Sequence, residues 1–283
     1  MSARILDGRA LAAELRGGLV ERTKLLSERG IRPRLVVALV GEDASSLAYV
    51  RGLERLGTQV GVEVEIDRHP ATIGESALRA AFEAYGRDDA IHGVLVQQPL
   101  PVPLSMRNVS DAVPERKDVD CAHPLNQARL AFGRGPRFVP ATPRAVMLLL
   151  ERSEAWPVRG RDATVIGRSS VVGLPVALLL LARDASVTMT HSKTRDLRAH
   201  AQRAEILVVA AGIPNLVDAS YVRPGATVID VGTSVVGGKV RGDVDFESVS
   251  AVAGELTPVP GGVGPVTNVA LMTNVVDAAE NSV

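Results

Sequence analysis

The stretch ATVIGRSSVVGLPVALLLLARDASVTMTHSK, residues 163–193, carries the pattern that decides the fold. Residues 163–166 are a short run with β-branched side chains, which predicts a strand ending at Gly167. A turn, an apolar helix and a second strand that ends near His191 follow in that order. This order is typical of a βαβ unit, in which a helix joins two parallel strands.

The turn at residues 167–175 has the position of a phosphate-binding turn. It would bring a helix N-terminus, with its free backbone N–H groups, toward a pyrophosphate. The spacing of Gly167 and Gly173 departs from G-x-G-x-x-G, and glycines in such a turn can serve backbone geometry alone. Gly167, Arg168 and Ser169 are therefore candidate cofactor-binding residues, and a purely structural turn is the alternative.

The end of the second strand indicates which dinucleotide the turn would accept. An NAD-specific site normally carries Asp or Glu there, on the ribose 2′-hydroxyl. Here the residues are His191, Ser192 and Lys193. Together with Arg168 they offer hydrogen-bond donors and positive charge where a 2′-phosphate would lie. The sequence therefore predicts NADP as the cofactor, with a solvated basic loop as the alternative.

Strand and helix patterns alternate on both sides of this stretch, which predicts an α/β protein of two domains. Predicted strands cover residues 35–40, 62–66, 93–96, 164–166, 186–190, 206–210 and 227–231, and predicted helices cover residues 10–28, 46–60, 75–85 and 143–155. The last of these helices would have Thr142 as its N-cap and Pro143 at its first position. Residues 111–140, rich in Pro, Gly and charge, are expected to be active-site loop and linker.

The composition excludes several classes of function. The 283 residues are 46% hydrophobic, and 32 basic residues balance 32 acidic ones, so nucleic acid and anionic membranes are not expected partners. The N-terminus lacks the apolar run of a signal peptide, which favours the cytoplasm. Cys121 is the single cysteine, and the five histidines have no i, i+4 pair, so we expect neither a disulfide nor a metal site.

Several motifs resemble one family in order and spacing. They are VQQPLP at 96–101, KDVD at 117–120, HPLN at 123–126, TPR at 142–144, GRSSVVGLP at 167–175, HSKT at 191–194, IDVG at 229–232, GDVDF at 242–246 and TPVPGGVGPVT at 257–267. Together with Tyr49-Val50 they resemble the bifunctional methylenetetrahydrofolate dehydrogenase/methenyltetrahydrofolate cyclohydrolase family along nearly the whole chain.

The resemblance implies an N-terminal α/β folate-binding lobe, a Rossmann-like NADP-binding lobe and a C-terminal helix that returns to the first lobe. The expected domains are 1–140 with 266–283, and 141–265. The family implies a homodimer, with tetrahydrofolate derivatives bound between the lobes. It also implies hydride transfer from 5,10-methylenetetrahydrofolate to the nicotinamide, followed by attack of water on the methenyl product.

Carried over from the family, Tyr49 would flank the folate, Gln97 would lie beside the reacting centre and Asp120 would hold the pterin. A carboxylate can accept two N–H bonds from an aminopyrimidine ring, and a fixed orientation lowers the barrier to hydride transfer. The alternatives are a core aromatic for Tyr49, a solvated strand end for Gln97 and a turn cap for Asp120. The remaining candidates are Ser192 and Thr233 for the cofactor, and Pro260, Gly261 and Gly262 for the substrate.

One departure from the family stands out on the helix that carries Tyr49. The family has a lysine four residues after this tyrosine, and this chain has Leu53 there. Arg55 would lie on a different helix face and is a poor substitute. Proton transfer by such a lysine would serve the water-attack step more than hydride transfer. We therefore expect the dehydrogenase activity to be better retained than the cyclohydrolase activity.

Milder departures lie near the same predicted site. Gln98 replaces a leucine, Cys121-Ala122 replace Gly-Phe, and Thr233-Ser234 replace Ile-Asn. Two further hypotheses therefore stay open beside the dehydrogenase. The chain could be a folate- or nucleotide-binding paralogue that has lost its chemistry, or a dehydrogenase of another small substrate.

Overall fold

A computed structural model describes residues 2–133 and 137–282. Its strands are β1 (Arg4–Ile5), β2 (Arg34–Val40), β3 (Glu63–His69), β4 (Gly93–Val96), β5 (Asp162–Ile166), β6 (Ser186–Thr190), β7 (Ile206–Val209), β8 (Thr227–Asp230), β9 (Ser234–Val236), β10 (Lys239–Arg241) and β11 (Glu255–Leu256). Parallel pairing of most of these strands confirms the predicted α/β fold class.

The helices between the strands vary widely in length. They are α1 (Gly8–Glu28), α2 (Ala44–Val60), α3 (Glu75–Arg87), α4 (Met106–Val109), α5 (Pro124–Ala131), α6 (Ala141–Leu150), α7 (Gly173–Leu181), α8 (Leu197–Ala201), α9 (Phe246–Ser250) and α10 (Val263–Glu280). Within the described ranges, no helix has both the length and the apolar character needed to cross a bilayer.

The chain divides into two compact units. One unit combines residues 1–13 with 142–267, and we call it the six-stranded unit after its main sheet. The other combines residues 14–141 with 268–283, and we call it the three-stranded unit. These limits differ from the predicted domains at the N-terminus, because β1 pairs in parallel with β11 and so places the first residues in the six-stranded unit.

The six-stranded unit is built on a parallel sheet in the order β1-β11-β8-β7-β5-β6. The strands β7 and β8 are buried along their whole length, as expected for central strands of a sheet covered on both faces. Leu207 and Val209 of β7 and Val228 of β8 share one core cluster with α8 and α9. All the strand carboxyl ends lie along one edge, which is where open parallel sheets bind ligands.

The three-stranded unit has the parallel order β3-β2-β4. Strand β2 is central and almost wholly buried, and Phe82 and Leu78 of α3 pack against one face of this sheet. The final part of α10 belongs to the same unit, where the side chain of Asn274 donates hydrogen bonds to the carbonyl oxygens of Val119 and Val139 at 2.7 and 2.8 Å.

Some details of the predicted secondary structure were wrong. The helix expected at 143–155 is Ala141–Leu150, so Thr142 is not its N-cap and Pro143 lies within its first turn, where proline is tolerated. The expected linker 111–140 contains α5, which begins after His123. The antiparallel pair β9 and β10 was not predicted, because both strands are three residues long.

Candidate functional site

A cavity of about 420 Å³ lies at the carboxyl ends of β5, β6 and β7 in the six-stranded unit. Its lining residues are Ile166, Gly167, Arg168, Ser169, His191, Ser192, Thr194, Leu197, Ala210, Ala211, Ile213 and Leu216. Four of the five predicted cofactor-binding residues therefore share one cavity. The cavity also has an apolar wall, from Leu197 at the start of α8 and from the loop residues Ile213 and Leu216. The sequence analysis missed this wall because none of the three belongs to a recognisable motif.

The glycines of the turn between β5 and α7 are required by close backbone contacts. A Cβ on Gly167 would lie 2.1 Å from the carbonyl oxygen of Ala210, and the φ angle of Gly167 is 122°. A Cβ on Gly173 would lie 2.2 Å from the carbonyl oxygen of Gly167. The side-chain oxygen of Ser169 accepts hydrogen bonds from the N–H groups of Val172 and Gly173. The turn is therefore closed tightly between the cavity-lining residues 167–169 and the first residue of α7.

The polar lining of this cavity carries no acidic side chain among the residues that the structure describes. Arg168 and Ser192 are exposed at its rim. The turn after β6 is ordered, because the Oγ1 of Thr194 accepts from the N–H of His191 and the Nδ1 of His191 accepts from the N–H of Lys193. A guanidinium and a hydroxyl with no opposing carboxylate fit an extra phosphate better than a ribose hydroxyl.

The fifth predicted cofactor residue, Thr233, does not line this cavity. It is exposed and follows β8, next to Gly232, whose N–H donates to the Oδ1 of Asp230 at 3.0 Å. Its predicted position beside the nicotinamide therefore stays a prediction.

The predicted folate-binding residues lie in the three-stranded unit. Tyr49 is half-buried on α2, and its pKa is raised by burial and by the charge of Asp120, which places the two side chains near each other. Gln97 follows β4 directly, and its Nε2 donates to the carbonyl oxygen of Gln98 at 2.7 Å. This bond turns the side-chain amide toward the loop that begins with the Gln98–Pro99 peptide, which is cis.

Asp120 is a carboxylate in a poorly hydrated place. Its Oδ1 accepts a hydrogen bond from the N–H of Ala141 at 3.0 Å. Burial, together with the nearby charge of Asp118, raises the pKa of Asp120 to about 6. A carboxylate that is incompletely solvated gains more from new N–H donors than one in open water. Asp120 therefore suits recognition of a ring that presents N–H groups.

Asp118 is a structural residue of the same segment that the sequence analysis did not single out. It is 1% exposed and accepts hydrogen bonds from the N–H groups of Ala122 and His123 and from the side chain of Asn126. Lys117 donates to the carbonyl oxygens of Tyr85 and Asp88, near the end of α3. In the KDVD segment, Lys117 and Asp118 therefore fix the loop that presents Asp120.

Cys121 occupies a left-handed backbone conformation with a φ angle of 56°. This conformation favours glycine, which is the usual family residue that the sequence analysis noted for this position. The side chain is 2% exposed, and burial raises the pKa of the thiol to about 12. The thiol is therefore a buried apolar group rather than a nucleophile.

Leu53 lies one helical turn after Tyr49 and is fully buried. It shares the buried face of α2 with Val50, Leu56 and Val60. Arg55 is exposed, as expected for a different face of the helix. The position that the family fills with lysine is therefore an apolar core position in this chain.

The predicted substrate loop at Pro260, Gly261 and Gly262 belongs to the six-stranded unit. Gly261 has a φ angle of 117°, and a Cβ there would lie 3.2 Å from the Nε of Arg9. A Cβ on Gly8 would lie 1.8 Å from the carbonyl oxygen of Gly262. A Cβ on Gly262 would lie 2.6 Å from the carbonyl oxygen of Pro258. Backbone geometry and close packing therefore account for these glycines, and a role in binding substrate stays a prediction.

Among the residues that the structure describes, no group of three or more His, Cys, Asp and Glu side chains is arranged to hold a metal ion.

Fold and cavity together define an α/β protein of the dinucleotide-binding class. The "Tetrahydrofolate dehydrogenase/cyclohydrolase, catalytic domain" family model matches residues 6–120. The "Tetrahydrofolate dehydrogenase/cyclohydrolase, NAD(P)-binding domain" model matches residues 140–283. The chain belongs to the tetrahydrofolate dehydrogenase/cyclohydrolase family.

Individual relatives match the chain along its whole length. The bifunctional protein FolD of Bordetella avium is 47% identical over 283 residues, which is 100% of this chain and 99% of the relative. The structure of the FolD methylenetetrahydrofolate dehydrogenase/cyclohydrolase from Campylobacter jejuni is 38% identical, with a TM-score of 0.97 and 100% coverage of both chains. The Trypanosoma brucei enzyme, solved with NADP cofactor and an inhibitor, is 36% identical with a TM-score of 0.94, covering 100% of this chain and 99% of that one.

Proposed function

We propose that this protein is an NADP-dependent methylenetetrahydrofolate dehydrogenase with a weakened cyclohydrolase activity. The observation that carries the NADP assignment is the cavity at the ends of β5, β6 and β7, with Arg168 and Ser192 at its rim and no acidic residue in its described lining. Membership of the family supplies the substrate class, which is a reduced folate carrying a one-carbon bridge.

In the proposed reaction, each named side chain has one task. Bound NADP would supply the hydride acceptor, so that 5,10-methylenetetrahydrofolate would lose a hydride from its methylene carbon and become the methenyl cation. Asp120 accepts N–H bonds from the pterin and fixes its orientation, while Tyr49 flanks the ring and Gln97 lies beside the one-carbon bridge. The turn at Gly167 presents the N-terminus of α7 to the pyrophosphate. Orientation of the two reactants is the main contribution of these groups.

The weakened cyclohydrolase activity follows from Leu53. The hydride step needs no protein proton donor, because the lone pair of a substrate nitrogen stabilises the cation as the hydride leaves. Water attack and ring opening need proton transfer, to which a side chain typically contributes about 10²–10⁴ in rate. Leu53 is buried and apolar and cannot supply this transfer.

The test is a spectrophotometric assay with methylenetetrahydrofolate and either NADP or NAD. We expect reduction of NADP, accumulation of methenyltetrahydrofolate and a lower kcat/KM with NAD. Tight binding of folate without any reduction would support the paralogue that has lost its chemistry. Reduction that requires another substrate would support a different dehydrogenase. This last alternative is motivated by Cys121-Ala122, which replace the family's Gly-Phe directly after Asp120.

The proposal includes a cytoplasmic homodimer without nucleic-acid or membrane partners. The family resemblance supports the dimer, and the β9–β10 hairpin exposes valines at 235, 236 and 240 that a second copy could cover. The equal numbers of acidic and basic residues support the absence of nucleic-acid binding. Light scattering coupled to size-exclusion chromatography measures the mass, and a value near that of a monomer would contradict the dimer.

A further inference from the structure

Two buried aspartates of the six-stranded unit lie outside the roles assigned above. Asp230 is the last residue of β8, and Asp243 lies in the segment after β10. Their exposures are 3% and 0%. Neither was a predicted site residue, although each stands in a motif that the sequence analysis quoted for the family resemblance, IDVG and GDVDF.

Asp243 is bonded to the wall of the cofactor cavity. Its Oδ2 accepts hydrogen bonds from the N–H groups of Ala211 and Gly212 at 2.7 and 2.8 Å. Ala211 lines the cavity, as do its neighbours Ala210 and Ile213. This loop follows β7 and has no regular secondary structure of its own, so its shape depends on such bonds.

Asp230 connects this arrangement to the loop that carries Thr233. Its Oδ1 accepts from the N–H groups of Gly232 and Asp243, each at 3.0 Å, and its Oδ2 accepts from the N–H of Val244 at 3.0 Å. The two carboxylates thus form a chain of hydrogen bonds that runs from the cavity wall through residues 242–244 to the loop after β8.

Two glycines leave room for these carboxylates. A Cβ on Gly232 would lie 2.2 Å from the Cγ of Asp243, and a Cβ on Gly242 would lie 1.9 Å from the Oδ2 of Asp230. The backbone on both sides is therefore shaped around the carboxylates. Substituting either glycine would displace them.

The electrostatics of the pair favour a positioning role over a gain in stability. The donors to these carboxylates are backbone N–H groups, and burial raises the pKa of Asp230 to about 7, with the charge of Asp243 adding to the effect. Burying a carboxylate without a cation is unfavourable, and a well-packed apolar group would stabilise a core more. Charge-assisted bonds do, however, fix loop geometry firmly.

We infer that Asp243 and Asp230 are positioning residues of the NADP site: Asp243 holds the cavity wall at residues 210–213, and Asp230 holds the loop of Gly232 and Thr233. This inference rests on the proposed function. Both aspartate side chains would act through the backbone, and neither would itself contact the cofactor.

The test compares three substitutions that differ in how many backbone N–H groups they leave unbonded. Asp243→Ala removes the acceptor for both Ala211 and Gly212. Asp243→Asn keeps an oxygen for Ala211 and Gly212, whose N–H groups both donate to Oδ2, and Oδ1 has no hydrogen-bond partner among the described residues. Asp230→Asn replaces one of two oxygens that both accept N–H bonds, so at least one N–H then faces an amide N–H.

The expected result is a graded loss of NADP affinity. We expect Asp243→Ala to raise the Kd for NADP about tenfold or more, and Asp230→Asn to raise it several-fold, about fivefold. Asp243→Asn should restore the Kd to within about threefold of wild type. The KM for methylenetetrahydrofolate should stay within about twofold in all three, since Tyr49, Gln97 and Asp120 lie in the other unit.

Glu255→Ala is the matched control. Glu255 is also a buried carboxylate of the six-stranded unit, 2% exposed, but it pairs with Arg4 and Thr227 at the opposite ends of the strands. We expect this variant to melt at a lower temperature and to bind NADP with unchanged Kd. The contrast separates a loss of cofactor positioning from a general loss of stability.

Several outcomes would overturn the inference. These are wild-type NADP affinity in Asp243→Ala, equal losses in Asp243→Ala and Asp243→Asn, or a loss in Glu255→Ala as large as that in Asp243→Ala. If Asp243→Ala does not fold, the test uses the Kd for NADP of Asp230→Asn and Asp243→Asn. Equal Kd values for these two variants would contradict the inference. Wild-type protein that fails to bind NADP would overturn the proposed function itself, whereas the variant outcomes leave it standing.

Discussion

Among single residues, Asp118 and Asp120 of the three-stranded unit explain how one loop can present a carboxylate to a ligand. Both carboxylate oxygens of Asp118 accept hydrogen bonds from backbone N–H groups or from the amide of Asn126. Asp120 accepts a hydrogen bond at Oδ1 from the N–H of Ala141. The first carboxylate therefore shapes the loop, and the second keeps hydrogen-bonding capacity for a ligand.

The pKa of Asp120 predicts a pH dependence of folate use. Above about pH 6 the carboxyl is ionised and accepts N–H bonds with both oxygens, while below this pH it is protonated and one oxygen becomes a donor. Since kcat/KM reports groups of the free enzyme, kcat/KM for methylenetetrahydrofolate should fall as the pH falls through about 6. A pH–rate profile measures this.

The control is Asp120→Asn, which cannot titrate. We expect its kcat/KM to be about tenfold to a hundredfold lower at neutral pH, with no step near pH 6. A profile that keeps the step in this variant would assign the titration to another group.

Leu53 predicts a gain of activity on substitution. Leu53→Lys should raise the hydrolysis of methenyltetrahydrofolate by about tenfold or more, toward the lower end of the range for proton transfer. It should also lower the melting temperature, because position 53 is fully buried and an ammonium is poorly solvated there. Hydrolysis is followed as loss of methenyl absorbance.

Leu53→Met serves as the comparison, since it preserves the volume and polarity of the side chain. It should change neither the rate of methenyl hydrolysis nor the melting temperature by much. No gain of hydrolysis in Leu53→Lys, or an equal gain in Leu53→Met, would mean that the missing amine does not limit the cyclohydrolase step.

Motifs predicted site residues by chemical type, and they missed residues whose structural role depends on neighbours. Asp120 was predicted through its motif and its folate role stays a prediction, whereas the loop-fixing role of Asp118 appears only when Ala122, His123 and Asn126 fold around it. Similarly, nothing in the sequence alone placed Cys121 in a left-handed conformation, which arises from the path of this loop.

At the scale of elements, the unit β5–turn–α7–β6 is the part that periodicity predicted best. Its strands were expected at 164–166 and 186–190, and the second prediction agrees with Ser186–Thr190 residue for residue. Short elements such as α5 and the β9–β10 hairpin lack enough residues to show a period. Caps and tertiary contacts define them instead.

The turn of this unit predicts how the protein separates NADP from NAD. Arg168→Ala should raise the KM for NADP by about tenfold to a hundredfold, because one charged hydrogen bond to the 2′-phosphate is lost. The KM for NAD should change little. Steady-state kinetics with both nicotinamides measure the two effects.

Lys193→Ala is the matched control for Arg168→Ala. The sequence analysis placed Lys193 with Arg168 near the 2′-phosphate, but Lys193 is exposed and does not line the cavity. Its removal should therefore change the KM for NADP by less than about threefold. Larger losses with Lys193→Ala than with Arg168→Ala would place the 2′-phosphate elsewhere.

At the scale of the whole molecule, the alternation of strands and helices was sufficient to predict two α/β units. It was not sufficient to place residues 1–13, which pair through β1 with β11, far away in sequence. A two-residue strand has no periodic signal, so only the folded sheet reveals this pairing. The same limit applies to the cavity wall, which is built from loops after separate strands.

The central claim is that this protein oxidises methylenetetrahydrofolate with NADP and releases the methenyl product faster than it hydrolyses it. The most direct measurement follows NADPH and methenyltetrahydrofolate together during the first turnovers. We expect the two to rise in nearly equal amounts, with 10-formyltetrahydrofolate appearing later. NADPH without methenyl accumulation, or no NADPH at all, would contradict it.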